Sequence, residues 1–138
     1  MAFWQERYIG KPWAAAPYPP ESFNCGELLR YALKAHRGVE TIGIEANAFN
    51  LRECIENMRP EVFGLRPLAG GEPVRDFDCA FFARMNYEDH CGLAARTPDG
   101  ILILHCLQGA GVVLESEAEA KGRGFREIIW YRHLELDS

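Results

Sequence analysis

The chain has 138 residues, 48% of them apolar, and a formal net charge of −5, with a sequence pI near 5.4. That length suits one hydrophobic core, so a single domain over residues 1–138 is expected. An acidic balance with no Lys/Arg cluster excludes a partner held by its phosphate backbone, and hence a nucleic-acid function.

The first residues, Met1-Ala2-Phe3-Trp4-Gln5-Glu6-Arg7, lack the basic-then-apolar order of a secretory signal, and no apolar run is long enough to span a membrane. The sequence therefore predicts cytoplasmic synthesis without a signal peptide and no membrane span. Five cysteines, an odd number without CxxC spacing, point to reduced thiols rather than a disulfide framework.

Residues 1–22 form a lead-in rich in proline and aromatic side chains. Its first twenty residues carry four prolines and one glycine beside Trp4, Tyr8, Trp13 and Tyr18, which allows one helical turn near Phe3 to Tyr8 and little other regular structure. Trp13 and Tyr18 are candidates to line a cleft.

Asn24 then caps a helix beginning at Cys25. Leu28, Leu29, Ala32 and Leu33 fall on one face, Arg30, Lys34 and Arg37 on the other, and Gly38 supplies a C-terminal stop. A cysteine in the first turn meets unpaired N–H groups and the positive end of the helix dipole, a position that favours the thiolate.

Asn50 caps a second predicted helix in which Leu51, Cys54, Ile55 and Met58 repeat at helical spacing, ended by Pro60. Cys54 belongs to its apolar face. Gly64 to Pro73, with three glycines and two prolines, reads as a loop.

Beyond it the period changes to that of strands. Phe77–Ala83, His90–Arg96, Ile101–Leu107, Gly111–Glu115 and Arg126–His133 are short runs rich in β-branched and aromatic residues, separated by turn signals. Thr97-Pro98-Asp99-Gly100 joins two of them as a hairpin. Ser116 to Gly124 reads as an exposed turn or short helix. Helices followed by strands predict an α+β fold in which the cysteine-bearing helix packs on a small antiparallel sheet.

Among the histidines, His36 ends the first helix and His133 is almost terminal, and both are expected at the surface. His90 and His105 lie in the hairpin strands. Without a bulge, Arg96 faces Ile101, His90 faces Leu107 and His105 faces Gly92, so the two histidines are diagonal neighbours on one face. Cys91 and Cys106 then point to the opposite face. This divides the two His-Cys dipeptides and argues against a zinc site made from all four, whose ligands must converge.

Placing the histidines on the face that meets the helix gives a candidate Cys25–His90–His105 relay. One imidazole takes the thiol proton and the other orients the first. Two buried strand histidines with no catalytic task would give the same pattern.

At this point several motifs fall together. Tyr8-Ile9-Gly10-Lys11-Pro12-Trp13, Asn24-Cys25-Gly26-Glu27-Leu28-Leu29, Asp76-Phe77-Asp78-Cys79-Ala80-Phe81-Phe82, His90-Cys91-Gly92-Leu93 and Leu104-His105-Cys106-Leu107-Gln108-Gly109 resemble, in order, motifs of the NlpC-type cell-wall peptidases. These are papain-like cysteine hydrolases, here in the form encoded in phage tail gene clusters.

The resemblance implies a papain-like core with Cys25 as nucleophile, His90 as general base and His105 as the group that orients it. The backbone N–H of Cys25 would serve an oxyanion hole. It further implies amide-bond cleavage in peptidoglycan peptide stems, phage tail proteins as partners, and neither a metal nor an organic cofactor. Trp13, Tyr18, Asn24 and Gln108 are the candidate cleft residues. Two departures stand out: Asn24 replaces an aspartate, and Trp13 stands where the family places a tyrosine hydroxyl, which an indole cannot supply. They motivate an alternative, a tail assembly component that keeps the fold but has lost turnover. An acyltransferase on the same residues would differ only in the acceptor.

Overall fold

In a computed structural model of the chain, the described residues are 3–41, 64–83, 88–125 and 127–136. The predicted second helix, with Cys54, lies outside them.

Helix α1 spans Cys25–Arg37 and is bounded as its sequence dictates. The Asn24 side chain accepts a hydrogen bond from the Glu27 N–H at 2.8 Å. At the other end Gly38 adopts the left-handed conformation (φ 66°) and its N–H returns to the carbonyls of Leu33 and Lys34. Leu28, Leu29, Ala32 and Leu33 are fully buried, each leucine contributing roughly 2 kcal/mol by leaving water.

The remaining elements are β1 (Leu65–Pro67), β2 (Cys79–Ala83), β3 (Glu88–Thr97), β4 (Gly100–Leu107), β5 (Gly111–Glu115), the short helix α2 (Glu117–Gly122) and β6 (Glu127–His133). Single 3-10 turns lie at Trp4–Arg7 and Leu134–Leu136. The strands form one six-stranded sheet in the order β1-β6-β2-β3-β4-β5, antiparallel throughout. The fold is α+β, with α1 against β3 and β4. Among the described residues no helix is long and apolar enough to cross a membrane.

The hairpin register is the one expected for Arg96 with Ile101 and for Gly92 with His105. The ladder stops there and does not reach the expected pair of His90 with Leu107; on the other edge of β3, His90 pairs with Phe82 of β2. Close approach at this point depends on Gly92. A Cβ there would lie 2.8 Å from the Leu104 carbonyl and 2.9 Å from the His105 Cβ.

Three expectations are corrected. The stretch Gly64–Pro73 is not all loop: Leu65 is buried and β1 pairs with the end of β6, a strand too short for its alternation to show in sequence. His133 is not at the surface. It is 5% exposed, and its Nε2 lies 3.1 Å from the Glu40 carbonyl, because pairing with β1 draws the end of β6 inward. His36 is half-buried, its Nε2 2.8 Å from the Tyr8 hydroxyl and its ring against Trp4 and Phe77.

The sheet separates two apolar clusters. On the helix side, Cys79, Phe81, Cys91, Leu93, Leu104 and Cys106 meet the α1 leucines, Tyr8 and Phe23. On the other side, Ala80, Phe82, Ile103 and Leu107 meet Ala120 of α2 and Phe125. The lead-in ties the free edge of β5 to the start of α1. Gly10 N–H donates to Val112 O and Val112 N–H to Lys11 O, both at 2.9 Å, and Phe23 N–H donates to Pro12 O at 3.0 Å.

Candidate active site

Cys25 is the first residue of α1, with its side chain packed at the margin of the helix-side core. Two features fix its position. The cap at Asn24 starts the helix there, and the preceding Phe23 is clamped by the lead-in on one side and, through its carbonyl, by the Cys106 thiol at 3.3 Å on the other. The first intrahelical bond runs from the Leu28 N–H to the Asn24 carbonyl, so the N–H groups of Cys25 and Gly26 precede the helical ladder.

The Cys25 thiol is held well below its ordinary pKa. A hydrogen bond with Cys91 is the largest cause, and a hydrogen bond with His90 and the charge of that imidazole act in the same direction; burial opposes them. Cys91 is driven the other way by its hydrogen bond with Cys25 and by burial. It remains a thiol and donates its S–H. Burial pushes Cys106 up to about 12 and also raises Cys79, with the Asp78 carboxylate adding to it. Of the four described cysteines, Cys25 alone is shifted toward the thiolate.

His90 Nε2 lies 2.8 Å from His105 Nδ1, and His105 Nε2 lies 2.7 Å from Glu115 Oε1. Arg123 donates from Nε to both carboxylate oxygens of Glu115, at 2.8 and 3.0 Å. The chain of hydrogen bonds therefore runs His90, His105, Glu115, Arg123. Both imidazoles are boxed by aromatic rings: His90 stacks on Phe125 with centroids 5.0 Å apart, and Phe82 packs against each histidine. His105 has no exposed surface. Burial first, then His90 and Arg123, push its pKa down to about 2, so it is neutral across the physiological range.

Strand parity predicts that the histidines share a face, and they do, but it is not the face that carries α1. The helix packs on the thiol and leucine face, and the imidazoles lie on the Phe82–Phe125 side. The physical reason is composition: Cys91, Leu93, Leu104 and Cys106 offer a helix an apolar seat, whereas two imidazoles need polar partners. Cys25 nevertheless engages His90 from the helix terminus. The two His-Cys dipeptides do not converge, and the described residues contain no group of three or more acidic, histidine or cysteine side chains placed to hold a metal.

The expected cleft residues are dispersed. Asn24 is buried and its side-chain oxygen serves the helix cap. Trp13 is half-buried against the core, its backbone bridged to Phe23. Tyr18 is 76% exposed, and Gln108 is exposed in the turn between β4 and β5.

Glu115, Arg123 and Phe125 are absent from the sequence-based candidates. One signal pointed to Glu115. In β5, Val113 pairs with His105 and Glu115 with Ile103, so an acid two residues beyond Val113 shares the histidine face. Arg123 and Phe125 follow α2 and come to the site only through the fold.

No family model and no curated protein matches the chain. Among solved structures it is similar to an N-acetylmuramoyl-L-alanine amidase from Bacteroides uniformis ATCC 8492, with 18% identity and a TM-score of 0.36 over 49% of this chain. The chain matches 32% of that amidase, about a third of its length.

Proposed function

We propose that this chain is a cysteine hydrolase on a papain-like core that cleaves an amide bond in the peptide stems of peptidoglycan. The observation that carries the reading is the arrangement at Cys25. Cys25 opens α1 and is shifted toward the thiolate, with His90 among the causes, and His90 Nε2 lies 2.8 Å from His105 Nδ1 on the neighbouring strand. Supporting it is the order of five sequence motifs that resemble the NlpC-type peptidases.

In the proposed course the Cys25 thiolate attacks the amide carbonyl carbon, and the carbonyl electron pair moves to oxygen as the C–S bond forms. N–H groups at the start of α1 stabilise that oxyanion. The His90 imidazolium gives its proton to the leaving amine as the C–N bond breaks. Water, deprotonated by His90, then attacks the thioester, and the thiolate leaves with the carboxylic acid as product. His105 keeps His90 oriented in both steps.

The similarity of Leu107-Gln108-Gly109 to the phage-tail branch supports delivery to the wall with a virion tail. The testing experiment is digestion of purified peptidoglycan by the wild type and by Cys25→Ala, with fragments identified by mass. The wild type releases stem-peptide fragments and the variant releases none. Identical behaviour of the two on walls of several chemotypes would favour the tail assembly component instead.

A further inference from the structure

The contacts behind His105 fix more than its position. Each neutral imidazole carries one proton, and which nitrogen holds it is decided by the partners. Glu115 Oε1, 2.7 Å from His105 Nε2, is a carboxylate oxygen and accepts there. Arg123 donates to both carboxylate oxygens, so neither is left to donate toward His105. An unprotonated Nε2 would set lone pair against lone pair, so the His105 proton sits on Nε2 and its Nδ1 is an acceptor. The proton in the 2.8 Å contact with His90 must then come from His90 Nε2. With Nε2 taken up by His105, Nδ1 is the His90 nitrogen left to act on the Cys25 thiol, whose pKa this imidazole lowers.

We propose that Glu115, clamped by Arg123, is a positioning residue that selects the His105 tautomer and so makes Nδ1 of His90 the atom that takes the Cys25 proton. The inference rests on pairing Cys25 with His90 as above, and extends it by two residues. The titratable and charged groups facing His105 are His90 from β3, Glu115 from β5 and Arg123 after α2; the rest of its surroundings are the rings of Phe82 and Phe125.

Glu115→Gln is the conservative variant. One oxygen of the carboxylate already accepts from both His105 Nε2 and Arg123 Nε, and an amide oxygen can do the same. Glu115→Leu removes the acceptor. The measurements are the protonation of each imidazole nitrogen by long-range proton–nitrogen NMR, and the pH midpoint of Cys25 alkylation by iodoacetamide. Neither requires turnover, so failure of peptidoglycan digestion would leave this inference standing and count only against the proposed substrate.

The wild type should show His105 protonated on Nε2 and unprotonated on Nδ1. Glu115→Leu should lose that pattern and move the alkylation midpoint up by about one pH unit, the scale of one lost charge-assisted partner. Glu115→Gln should retain the tautomer and the wild-type midpoint. A folded Glu115→Leu with unchanged tautomer and midpoint overturns the proposal. If Glu115→Leu fails to fold, Arg123→Ala, whose side chain is 41% exposed, serves instead. It should broaden the His105 Nε2–H resonance and raise the midpoint, and no change in either rejects the proposal.

Discussion

At Cys25 a neighbouring thiol, an imidazole and a helix start act on one sulfur, whereas at Cys106 and Cys79 burial is the main influence and works against ionisation. The four described thiols should therefore differ sharply in reactivity. Limited alkylation near neutral pH, followed by peptide mapping, should label Cys25 ahead of Cys79, Cys91 and Cys106. Because its pKa is lowered, labelling should persist below the range of a free thiol, about 8.5. His90→Ala removes both a hydrogen bond and a positive charge from the thiolate, so the midpoint should rise. Equal, slow labelling of the described thiols would contradict the assignment. That Cys25 opens a helix is legible in Asn24 and in the leucine spacing. Its contact with Cys91 is not, because strand parity sends Cys91 away from His90 and gives no distance to the helix terminus.

At the scale of elements, Cys25 is placed by a relay of backbone contacts from β5 through the lead-in to Phe23. Gly111 is the point where the relay is most constrained. Its φ is +77°, and a Cβ would lie 2.5 Å from the Lys11 carbonyl oxygen, a backbone atom that cannot yield without moving the lead-in. Gly111→Ala should cost roughly 2 kcal/mol or more, from left-handed strain together with overpacking. Urea denaturation measures that cost, and Cys25 alkylation should slow as the clamp on Phe23 loosens. Gly109→Ala, also at positive φ (+88°) but with open space around its Cβ, should bear only the strain. Equal losses at the two positions would mean that the lead-in contact adds nothing. The proline-rich composition shows that the lead-in is irregular but not which strand edge it covers.

For the molecule as a whole, His105 ties stability to pH. Its folded pKa is depressed to about 2, while an unfolded histidine takes its proton near 6.5. Above that value both states are neutral and the stability is fully present. As pH falls below it, the unfolded chain binds a proton that the native state refuses, and stability declines by up to about 1.4 kcal/mol per pH unit. His36, half-buried beside Tyr8, is shifted in the same direction, by burial and by Arg7. Comparison with His105→Gln isolates the buried group. Between pH 7 and pH 5 the wild type should lose roughly 1–2 kcal/mol more than the variant in urea denaturation. Equal losses would mean that native His105 accepts a proton, and the tautomer argument would fall with it.

The sequence by itself determined the elements whose signals are local. The capped helix at Cys25, its glycine stop, the hairpin turn at Thr97-Pro98-Asp99-Gly100, and the shared face of His90 and His105 all follow from side-chain periods and turn chemistry spanning only a few residues. Tertiary structure decided which face of the sheet the helix covers, that the Leu65–Pro67 segment pairs with β6 and draws His133 inward, and that Glu115 and Arg123 stand behind His105. Each of these depends on where apolar surface is buried and where a buried polar atom finds its partner. Those free energies arise between segments far apart in the chain, and no window of sequence contains them.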